Sequence, residues 1–249
     1  MRLDSECVKL LWTGGWDSTF QLLRLLLTEK RAVIPFYLID AERPSTGKEL
    51  QTTKRIKERL FKEYPHTREL LKPTQYASAA DVAPDEEITS EFESIREENH
   101  LGKQYDWLAR FCKEHGIFGM QLCVHDQDHA KLVLQLRSLK QSKTAGGGME
   151  PDSNDIMFRW FSFPVLEFSK LQMAEISKLN GWEKIMNMTW FCHTPKKNGT
   201  PCGKCPPCRY TIEEGMSWRI PPENLKAPSR LRPLKTLAKR GLSLLKLAR

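Results

Sequence analysis

The chain has 249 residues, of which 40% are hydrophobic and 28% are charged. These values are typical of a globular protein large enough to bury a hydrophobic core. The sequence has no run of about 18 apolar residues, so we expect no transmembrane helix. Acidic residues occur at Asp4 and Glu6, and a strand pattern follows at once. This start argues against a secretory signal peptide and favours a cytoplasmic location.

The formal net charge of +8 comes entirely from one end of the chain. Residues 226–249 contain eight Lys and Arg residues and no acidic residue, which leaves 31 basic and 31 acidic residues in residues 1–225. The basic character therefore describes this tail and not the body of the protein.

Hydrophobic patterning predicts strands alternating with helices along the chain. The predicted strands are residues 7–12, 32–39, 118–125 and a region within 157–166. The predicted helices are residues 18–29, 46–63, 103–115, 129–140 and 169–181. Residues 65–97 are polar, with an acidic run from Asp85 to Glu87, and are predicted to be irregular. Residues 143–155 are also predicted to be irregular. This alternation favours an α/β domain with a mostly parallel sheet.

Several local signals refine these bounds. Pro35 favours a strand end at its position, because proline cannot donate to a ladder. Thr46, followed by Glu49, is the predicted N-cap of the second helix. Gly116 and Gly181 are predicted to end the helices before them.

The stretch TGGWDST, residues 13–19, lies between the first strand and the first helix. Glycines without a Cβ let backbone N–H groups wrap an anion, and a helix N-terminus favours phosphate. Hydroxyl groups add further donors, and a carboxylate can help to hold Mg²⁺. The alternative is a tight strand-to-helix turn without a ligand. The candidate ligand-binding residues are Thr13, Gly14, Gly15, Asp17, Ser18 and Thr19.

This stretch resembles the SGGxDS signature of the PP-loop ATP pyrophosphatases, with Thr13 in place of the first serine. The resemblance implies a Rossmann-like fold and an enzyme that cleaves ATP between its α and β phosphates. It also implies that Asp17 and Ser18 take part in the chemistry.

Four cysteines crowd into 17 residues, at Cys192, Cys202, Cys205 and Cys208. An odd total of seven cysteines, without a secretion signal, argues against a disulfide framework. Four thiolates at this spacing can close a tetrahedral zinc site that has no open position for water, so the zinc is expected to be structural. His193 is expected to be a neighbour of the site and not a ligand. The alternative is a loop of reduced, unliganded cysteines.

The segments TWFCH and CGKCPPCR resemble the C-terminal signature of the 7-cyano-7-deazaguanine synthase family, a branch of the PP-loop enzymes. FPVLEFSKLQMAEISKLNG resembles the segment that precedes this signature. The resemblance implies a PP-loop domain over residues 1–185 and a small zinc-binding segment over 186–220. Prolines and basic residues in the rest of the chain, residues 221–249, predict a linker followed by a basic amphipathic tail. The middle of the chain departs from the family, since VHDQDHAKLVLQLRS replaces its substrate-linked segment.

The resemblance implies an ATP-dependent ligase that uses Mg²⁺. A carboxylate attacks the α-phosphorus of ATP, pyrophosphate leaves, and ammonia displaces AMP to give an amide, which the family can convert to a nitrile. Asp40 ends the second strand and is expected near the adenosine, because ligands lie at the carboxyl ends of parallel strands.

Polar residues after the 118–125 strand are expected at the same mouth of the sheet. They are candidate contacts to the small carboxylate substrate or to a metal, and the alternative is a helix N-terminus that favours acids. Lys170 could contact phosphate or be solvated. Trp16, Trp107, Trp160 and Trp190 are expected to pack in the core and not to stack on a base. The candidate substrate residues are His125, Asp126, Asp128 and His129.

The tail from Leu234 onward has an apolar face and basic residues elsewhere. Such a helix can lie on an anionic membrane surface or dock on a protein partner, and these are favoured over nucleic acid because the tail has no aromatic residue. The alternative is a frayed, solvated terminus. Homodimerisation also stays open.

Two other functions stay open. The first is a PP-loop enzyme with another acceptor, such as a glycan, a protein or a tRNA. Thiolation of tRNA would need a reactive cysteine, and Cys123 lies within an apolar strand, which favours an inert thiol. The second is a non-catalytic nucleotide-binding module recruited through its tail.

Overall fold

The computed structural model describes residues 7–99, 101–128, 130, 140, 141, 149, 150 and 155–225. His129, most of the predicted 129–140 helix and the whole tail of residues 226–249 lie outside the described residues. Lys140 belongs to a short strand, so a helix extending to residue 140 was a wrong prediction.

A five-stranded parallel sheet forms the centre of the fold, with strands in the order β3-β2-β1-β4-β7. β5 and β6 form a separate antiparallel pair, and β6 lies within the segment 143–155 that was predicted to be an irregular loop. The strands are β1 Val8–Leu11, β2 Val33–Ile39, β3 Gln75–Ser78, β4 Met120–Gln121, β5 Lys140–Gln141, β6 Met149–Glu150 and β7 Phe161–Ser162.

Helices lie between the successive strands from β1 to β4, as a parallel arrangement requires, and further helices follow the last strand, β7. They are α1 Trp16–Leu23, α2 Thr46–Glu63, α3 Thr67–Leu70, α4 Glu86–Glu98, α5 Gln104–Glu114, α6 Lys170–Leu179, α7 Glu183–Met186 and α8 Pro206–Glu213. Helix α1 continues into a π-helical turn, Arg24–Thr28, and three short 3₁₀ turns cover Ala79–Asp81, Ser217–Arg219 and Pro222–Asn224.

Two hydrophobic cores lie on opposite faces of the sheet. Leu10 of β1 belongs to the core that contains Phe20 of α1 and Ile56 of α2. Its neighbour Leu11 packs against the other core, which contains Phe92 of α4. Because adjacent strand residues point to opposite faces, helices cover the sheet on both sides. The predicted α/β class with a parallel sheet is confirmed.

The prediction that residues 65–97 are irregular was wrong. This segment contains α3, β3, a 3₁₀ turn and α4. The Asp85 side chain caps α4 by accepting the Ile88 N–H at 3.0 Å. Ile88 and Phe92 then bury one face of the helix. The acidic run that favoured a loop is instead a cap and a first turn, where negative charge stabilises a helix.

Other bounds also needed correction. Pro35 lies inside β2, between a bridge at Val33 and the start of the β2–β3 register at Phe36, so no ladder bond to β3 is lost there. Ser45, not Thr46, is the N-cap residue of α2, and the Thr46 hydroxyl instead donates to backbone carbonyls of the preceding turn at 2.9 Å. The strands predicted over 118–125 and within 157–166 each reduce to two residues.

The helix ends were predicted correctly. Gly116 follows α5 with φ +59°, and Gly181 follows α6 with φ +75°. Ser169 and Gln172 form a capping box at the start of α6. Positive φ is a conformation that glycine adopts at little steric cost, which explains both positions.

Candidate functional site: a polar cradle at the sheet edge and a four-cysteine cluster

The TGGWDST loop leaves the carboxyl end of the central strand β1 and enters α1, with Gly15 at the N-cap position. Gly14 has φ +74°, and a Cβ there would lie 3.1 Å from the Cγ2 atoms of Thr52 and Thr53. Its carbonyl accepts the Trp190 N–H at 2.9 Å. Glycine therefore lets the loop pass close to α2 while its backbone turns into the helix.

Besides Trp16 Nε1, two buried oxygens of the loop have no hydrogen-bond partner among the described residues: Asp17 Oδ1 and Ser18 Oγ. Both residues line a cavity of about 210 Å³, together with Thr13 and Gly15. Unpartnered buried oxygens are costly, so they indicate a place for a ligand. A carboxylate and hydroxyls at a helix N-terminus suit phosphate together with a hard cation such as Mg²⁺.

Thr19 has a different environment from the other loop hydroxyls. It is fully buried, and its Oγ1 accepts a 3.1 Å hydrogen bond from Trp12 Nε1. Thr19 does not line the cavity. The structure therefore gives Thr19 a role in fixing α1 against β1.

Arg43 forms part of the opposite wall of this cavity. Its Nη1 lies 3.8 Å from Glu49 Oε2, its Nε lies 4.0 Å from Asp40 Oδ2, and its Nη2 donates to Gln104 Oε1 at 3.3 Å. Asp40 follows β2 at the carboxyl edge as predicted, but it contacts Arg43 and does not line the cavity. Sequence patterns did not single out Arg43. Asp40 and Glu49 are close to it along the chain, but Gln104 reaches it only in the tertiary structure.

Buried Glu49 pairs with the Arg43 guanidinium and orients it. Its carboxylate accepts a 2.9 Å bond from the Tyr37 hydroxyl and a 2.6 Å bond from Ser45 Oγ. Burial, followed by the nearby charge of Glu49, raises the pKa of Tyr37. Tyr37 therefore remains a hydrogen-bond donor throughout the neutral range, and the carboxylate that orients Arg43 stays satisfied.

Three charged or titratable side chains lie in a cluster beside Asp17. Lys170 Nζ is 2.9 Å from Glu214 Oε2 and 3.8 Å from Asp17 Oδ2, and Glu214 Oε1 is 3.2 Å from His125 Nε2. The side chains of His125 and Glu214 are only 3% and 10% exposed. Paired charges at this level of burial are strongly coupled, because solvent screens them weakly.

The pKa values of the cluster follow from this pairing. Burial opposes charge on His125 and Lys170, but contacts with Glu214 and the charge of Asp17 raise the pKa of both groups. Burial likewise opposes the charge of Glu214, but His125 and Lys170 lower its pKa. The sequence left the role of Lys170 open and gave no signal for Glu214, which lies one residue beyond α8 and six residues after Cys208.

A second cavity of about 290 Å³ adjoins the first and shares Asp17 and Asp128 with it. His125 and Lys170 also line it. Asp128 accepts the Ala130 N–H at 2.9 Å, which supports the helix-start alternative as well as a site role. Asp126 is exposed and lines neither cavity.

The four predicted cysteines come together as one buried cluster, with their sulfur atoms within 4.8 Å of one another. Two of the Sγ–Sγ distances, Cys202–Cys208 and Cys192–Cys205, are 3.8 Å. A tetrahedral zinc site with Zn–S bonds of about 2.3 Å places its sulfurs about 3.8 Å apart. The cluster therefore fits a structural metal such as zinc, as predicted.

Backbone donors surround the cluster. The N–H groups of Lys204 and Cys205 each donate to Cys202 Sγ at 3.3 Å, and the Cys202 N–H donates to Cys192 Sγ at 3.2 Å. Burial opposes a thiolate at Cys202, but the Thr194 hydroxyl and these N–H groups lower its pKa to about 6. His193 is half-buried beside the cluster and is not one of the grouped ligands.

The backbone at Gly203, between two of the clustered cysteines, has room only for glycine. Its φ is +71°, and a Cβ there would lie 2.0 Å from the backbone oxygen of Asn224. The Asn224 side chain donates to Pro201 O at 2.8 Å. Glycine at this position lets the cysteine knuckle pack against the last described turn.

The tryptophans mostly pack in the core, as predicted. Trp16 is buried beneath the Arg219 guanidinium, whose Cζ is 4.7 Å from the ring centroid. Trp160 is buried, and Trp107 packs against the same core. Trp190 is half-buried, with Lys48 Nζ 5.0 Å from its ring centroid.

No family model, curated protein or solved structure matches this chain. Within the described part of the chain, every helix falls short of the length or the apolar character needed to cross a bilayer.

Proposed function

We propose that this protein is an ATP-dependent ligase of the PP-loop type, with catalytic and phosphate-binding groups in the Thr13–Thr19 loop. The observation that carries the proposal is the pair of unpartnered buried oxygens, Asp17 Oδ1 and Ser18 Oγ, in a cavity at a helix N-terminus. The location agrees with ligand sites of open parallel sheets, which lie at the carboxyl ends of the strands.

In this proposal Thr13, Gly15 and Ser18 bind phosphate oxygens, and Asp17 holds Mg²⁺. The cation would supply charge neutralisation of the phosphates. Arg43, held by Glu49, faces the same cavity and stabilises negative charge there. Lys170 lies within 3.8 Å of Asp17 and adds a second positive group on the other side of the loop.

The proposed reaction is an adenylation followed by amide formation. An acceptor carboxylate oxygen attacks the α-phosphorus, the bond to the β-phosphate oxygen breaks, and pyrophosphate leaves. Ammonia then attacks the acyl carbon and AMP leaves, with one proton released. The second cavity adjoins the loop through Asp17 and Asp128, and we assign it to the acceptor. The product is an amide or, after a further dehydration, a nitrile.

Thiolation is the less favoured alternative. Cys123 lines the first cavity, but burial and then the charge of Asp17 raise its pKa well above the usual value. A protonated thiol is a poor nucleophile. We therefore favour amide formation over sulfur transfer. The four-cysteine segment is proposed to bind zinc for structure, since its four sulfurs leave no open position for a substrate.

The experiment is release of AMP and pyrophosphate from ATP and Mg²⁺, with ammonia and 7-carboxy-7-deazaguanine as co-substrates and product detection by mass spectrometry. AMP with an amide or nitrile product is the expected result. AMP without a product from this acid would support the loop chemistry and assign the enzyme to another acceptor. Formation of ADP, or no cleavage with any carboxylate tried, would reject the ligase and favour the nucleotide-binding module.

A further inference from the structure

A third cavity, of about 500 Å³, lies between α2, residues 187–191 and the 3₁₀ turn Ser217–Arg219. We call it the basic groove. It is larger than the two cavities at the TGGWDST loop, and no residue of that loop lines it. Neither the proposed ATP chemistry nor the cysteine cluster uses this groove.

The charge of the basic groove has one sign. Lys48, Arg55 and Arg219 line it, and none of its lining residues in the described part of the chain is acidic. Neither Lys48 nor Arg55 forms an ion pair with any residue that the structure describes. Burial lowers the pKa of Arg219 to about 10, so this guanidinium stays charged at neutral pH. The groove is therefore suited to an anionic ligand.

Aromatic rings lie among these cations. Trp218 is 57% exposed, which is unusual for so large an apolar side chain, and half-buried Trp190 and Phe191 complete the wall. The Arg219 guanidinium lies 4.7 Å from the centroids of both Trp16 and Phe191, and it donates to Thr189 O at 2.7 Å. These contacts hold Arg219 in place and leave the Trp218 ring free to stack on a planar ligand.

We propose that the basic groove binds single-stranded nucleic acid, with a base stacked on Trp218 and phosphates on Lys48 and Arg55. Aromatic platforms between cationic side chains are the shared feature of sequence-tolerant single-strand binding. An acidic peptide would use the cations but leave the exposed indole without a planar partner.

The test is fluorescence anisotropy of the full-length protein with a labelled, mixed-sequence single-stranded RNA of about 12 nucleotides, within the range of known site sizes. Trp218→Ala and Arg55→Ala are each expected to weaken binding by about tenfold. Lys54→Ala is the matched control, because Lys54 lies on the same helix and carries the same charge but does not line the groove. Its affinity should stay near that of the wild type. Arg55→Ala should also reduce the slope of log K against log salt concentration by the equivalent of about one phosphate contact.

Quenching of tryptophan fluorescence by the RNA supplies an independent readout, expected in the wild type and reduced in Trp218→Ala. Thermal unfolding and zinc content establish that each variant is folded. Equal affinity of the wild type, Trp218→Ala and Arg55→Ala would overturn the proposal and assign binding to the tail. Absence of RNA binding would also overturn it. Uridine monophosphate is also tested as a ligand. If it binds as tightly as the RNA and the variants weaken it equally, the proposal of a polymeric ligand is wrong and a free nucleotide is the ligand.

The inference does not depend on the ATP-dependent activity. The variants alter residues outside the proposed ATP and acceptor cavities, and RNA binding is measured without ATP. Failure of the ligase assay and failure of RNA binding are therefore separate results.

Discussion

Lys170 and Glu214 form an ion pair with an Nζ–Oε2 distance of 2.9 Å, and their side chains are only 16% and 10% exposed. Lys170 begins α6, which packs in the same core as β1, whereas Glu214 follows α8, the helix that carries Cys208. Because Lys170 also lies 3.8 Å from Asp17, the pair links the TGGWDST loop to the four-cysteine segment. Loss of one partner from such a buried pair costs about 3–5 kcal/mol, so the two segments should be coupled in stability.

Asp17→Asn tests the proposed chemistry. The amide keeps the size of the side chain but removes the charge that holds Mg²⁺, so AMP release should fall at least about a hundredfold, in line with losses of charge-stabilising groups in other enzymes. Asp81→Asn is the control, because Asp81 is an exposed acid on a turn away from both cavities. Near-wild-type AMP release by a folded Asp17→Asn protein would contradict the assignment.

The cysteine cluster predicts one zinc per chain in purified protein. Cys208→Ser should lose the metal and lower the melting temperature, because a structural zinc contributes directly to folding. Cys7→Ser should keep the metal, since Cys7 is not part of the cluster. Metal content is measured by mass spectrometry of the native protein and by thermal unfolding with and without a chelator. Wild-type protein that carries no zinc and ignores the chelator would reject the site.

Gly203→Ala should displace Asn224 or open the cysteine knuckle. A Cβ would lie 2.0 Å from the Asn224 oxygen, in addition to the cost of positive φ, which is about 1–2 kcal/mol for a residue with a side chain. Gly199→Ala is matched to it, because Gly199 has φ +78° with no atom within 4 Å of the added carbon. Zinc content and melting temperature should fall clearly more in Gly203→Ala. Equal losses in the two variants would show that the close contact has no effect.

Glu214→Gln should lower the pKa of His125, measured by NMR titration of its ring signals. In the wild type, burial opposes the charged ring, and the bond to Glu214 together with the charges of Asp17 and Asp128 outweighs it, so removal of the Glu214 carboxylate leaves burial less opposed. Glu213→Gln is the control, since the same charge is lost one residue away without a bond to His125. An equal change in the pKa of His125 in both variants would show that the effect comes from the loss of a nearby negative charge and not from the bond to Glu214.

The raised pKa of His125 also fixes the direction of a stability change. Its stabilising contribution is fully present below the unfolded pKa of about 6.5 and is lost as pH rises through the higher folded pKa. The difference in the free energy of unfolding between the wild type and Glu214→Gln should therefore shrink as the pH rises from the unfolded pKa of His125 to its folded pKa. It should not vanish there, because Lys170 keeps its charge, and its bond to Glu214, to much higher pH. Denaturant unfolding at several pH values measures this difference, and a difference that grows with pH would contradict the pairing.

Cys123 should resist alkylation by iodoacetamide in the native protein at about pH 8. Burial raises its pKa well above the usual value, so little thiolate is present to react. The comparison is the same protein unfolded in urea, analysed by peptide mass spectrometry. Equal rates of modification in the native and unfolded states would restore sulfur transfer as a competitive function.

Local signals predicted much of the fold, because they act over a few residues. Alternating apolar segments indicated the α/β class, and Gly116 and Gly181 marked helix ends. The prediction failed over residues 65–97, where the acidic residues near Asp85 were read as a loop although they cap and begin α4. Strand lengths near residues 120 and 161 were also too long, since the ladder depends on how far neighbouring strands overlap.

The site divides in the same way. The sequence alone determined the cysteine cluster and the TGGWDST loop, because their side chains lie close together along the chain and a short backbone path is enough to converge them. Only the tertiary structure brought Lys170 and Glu214 to Asp17, and Arg43 to Gln104, since these contacts join segments up to about two hundred residues apart in a way that local patterns do not encode. It also separated Asp40, Thr19 and Asp126 from the cavities, because the sheet edge leaves room for few side chains and packing decides which of them face inward.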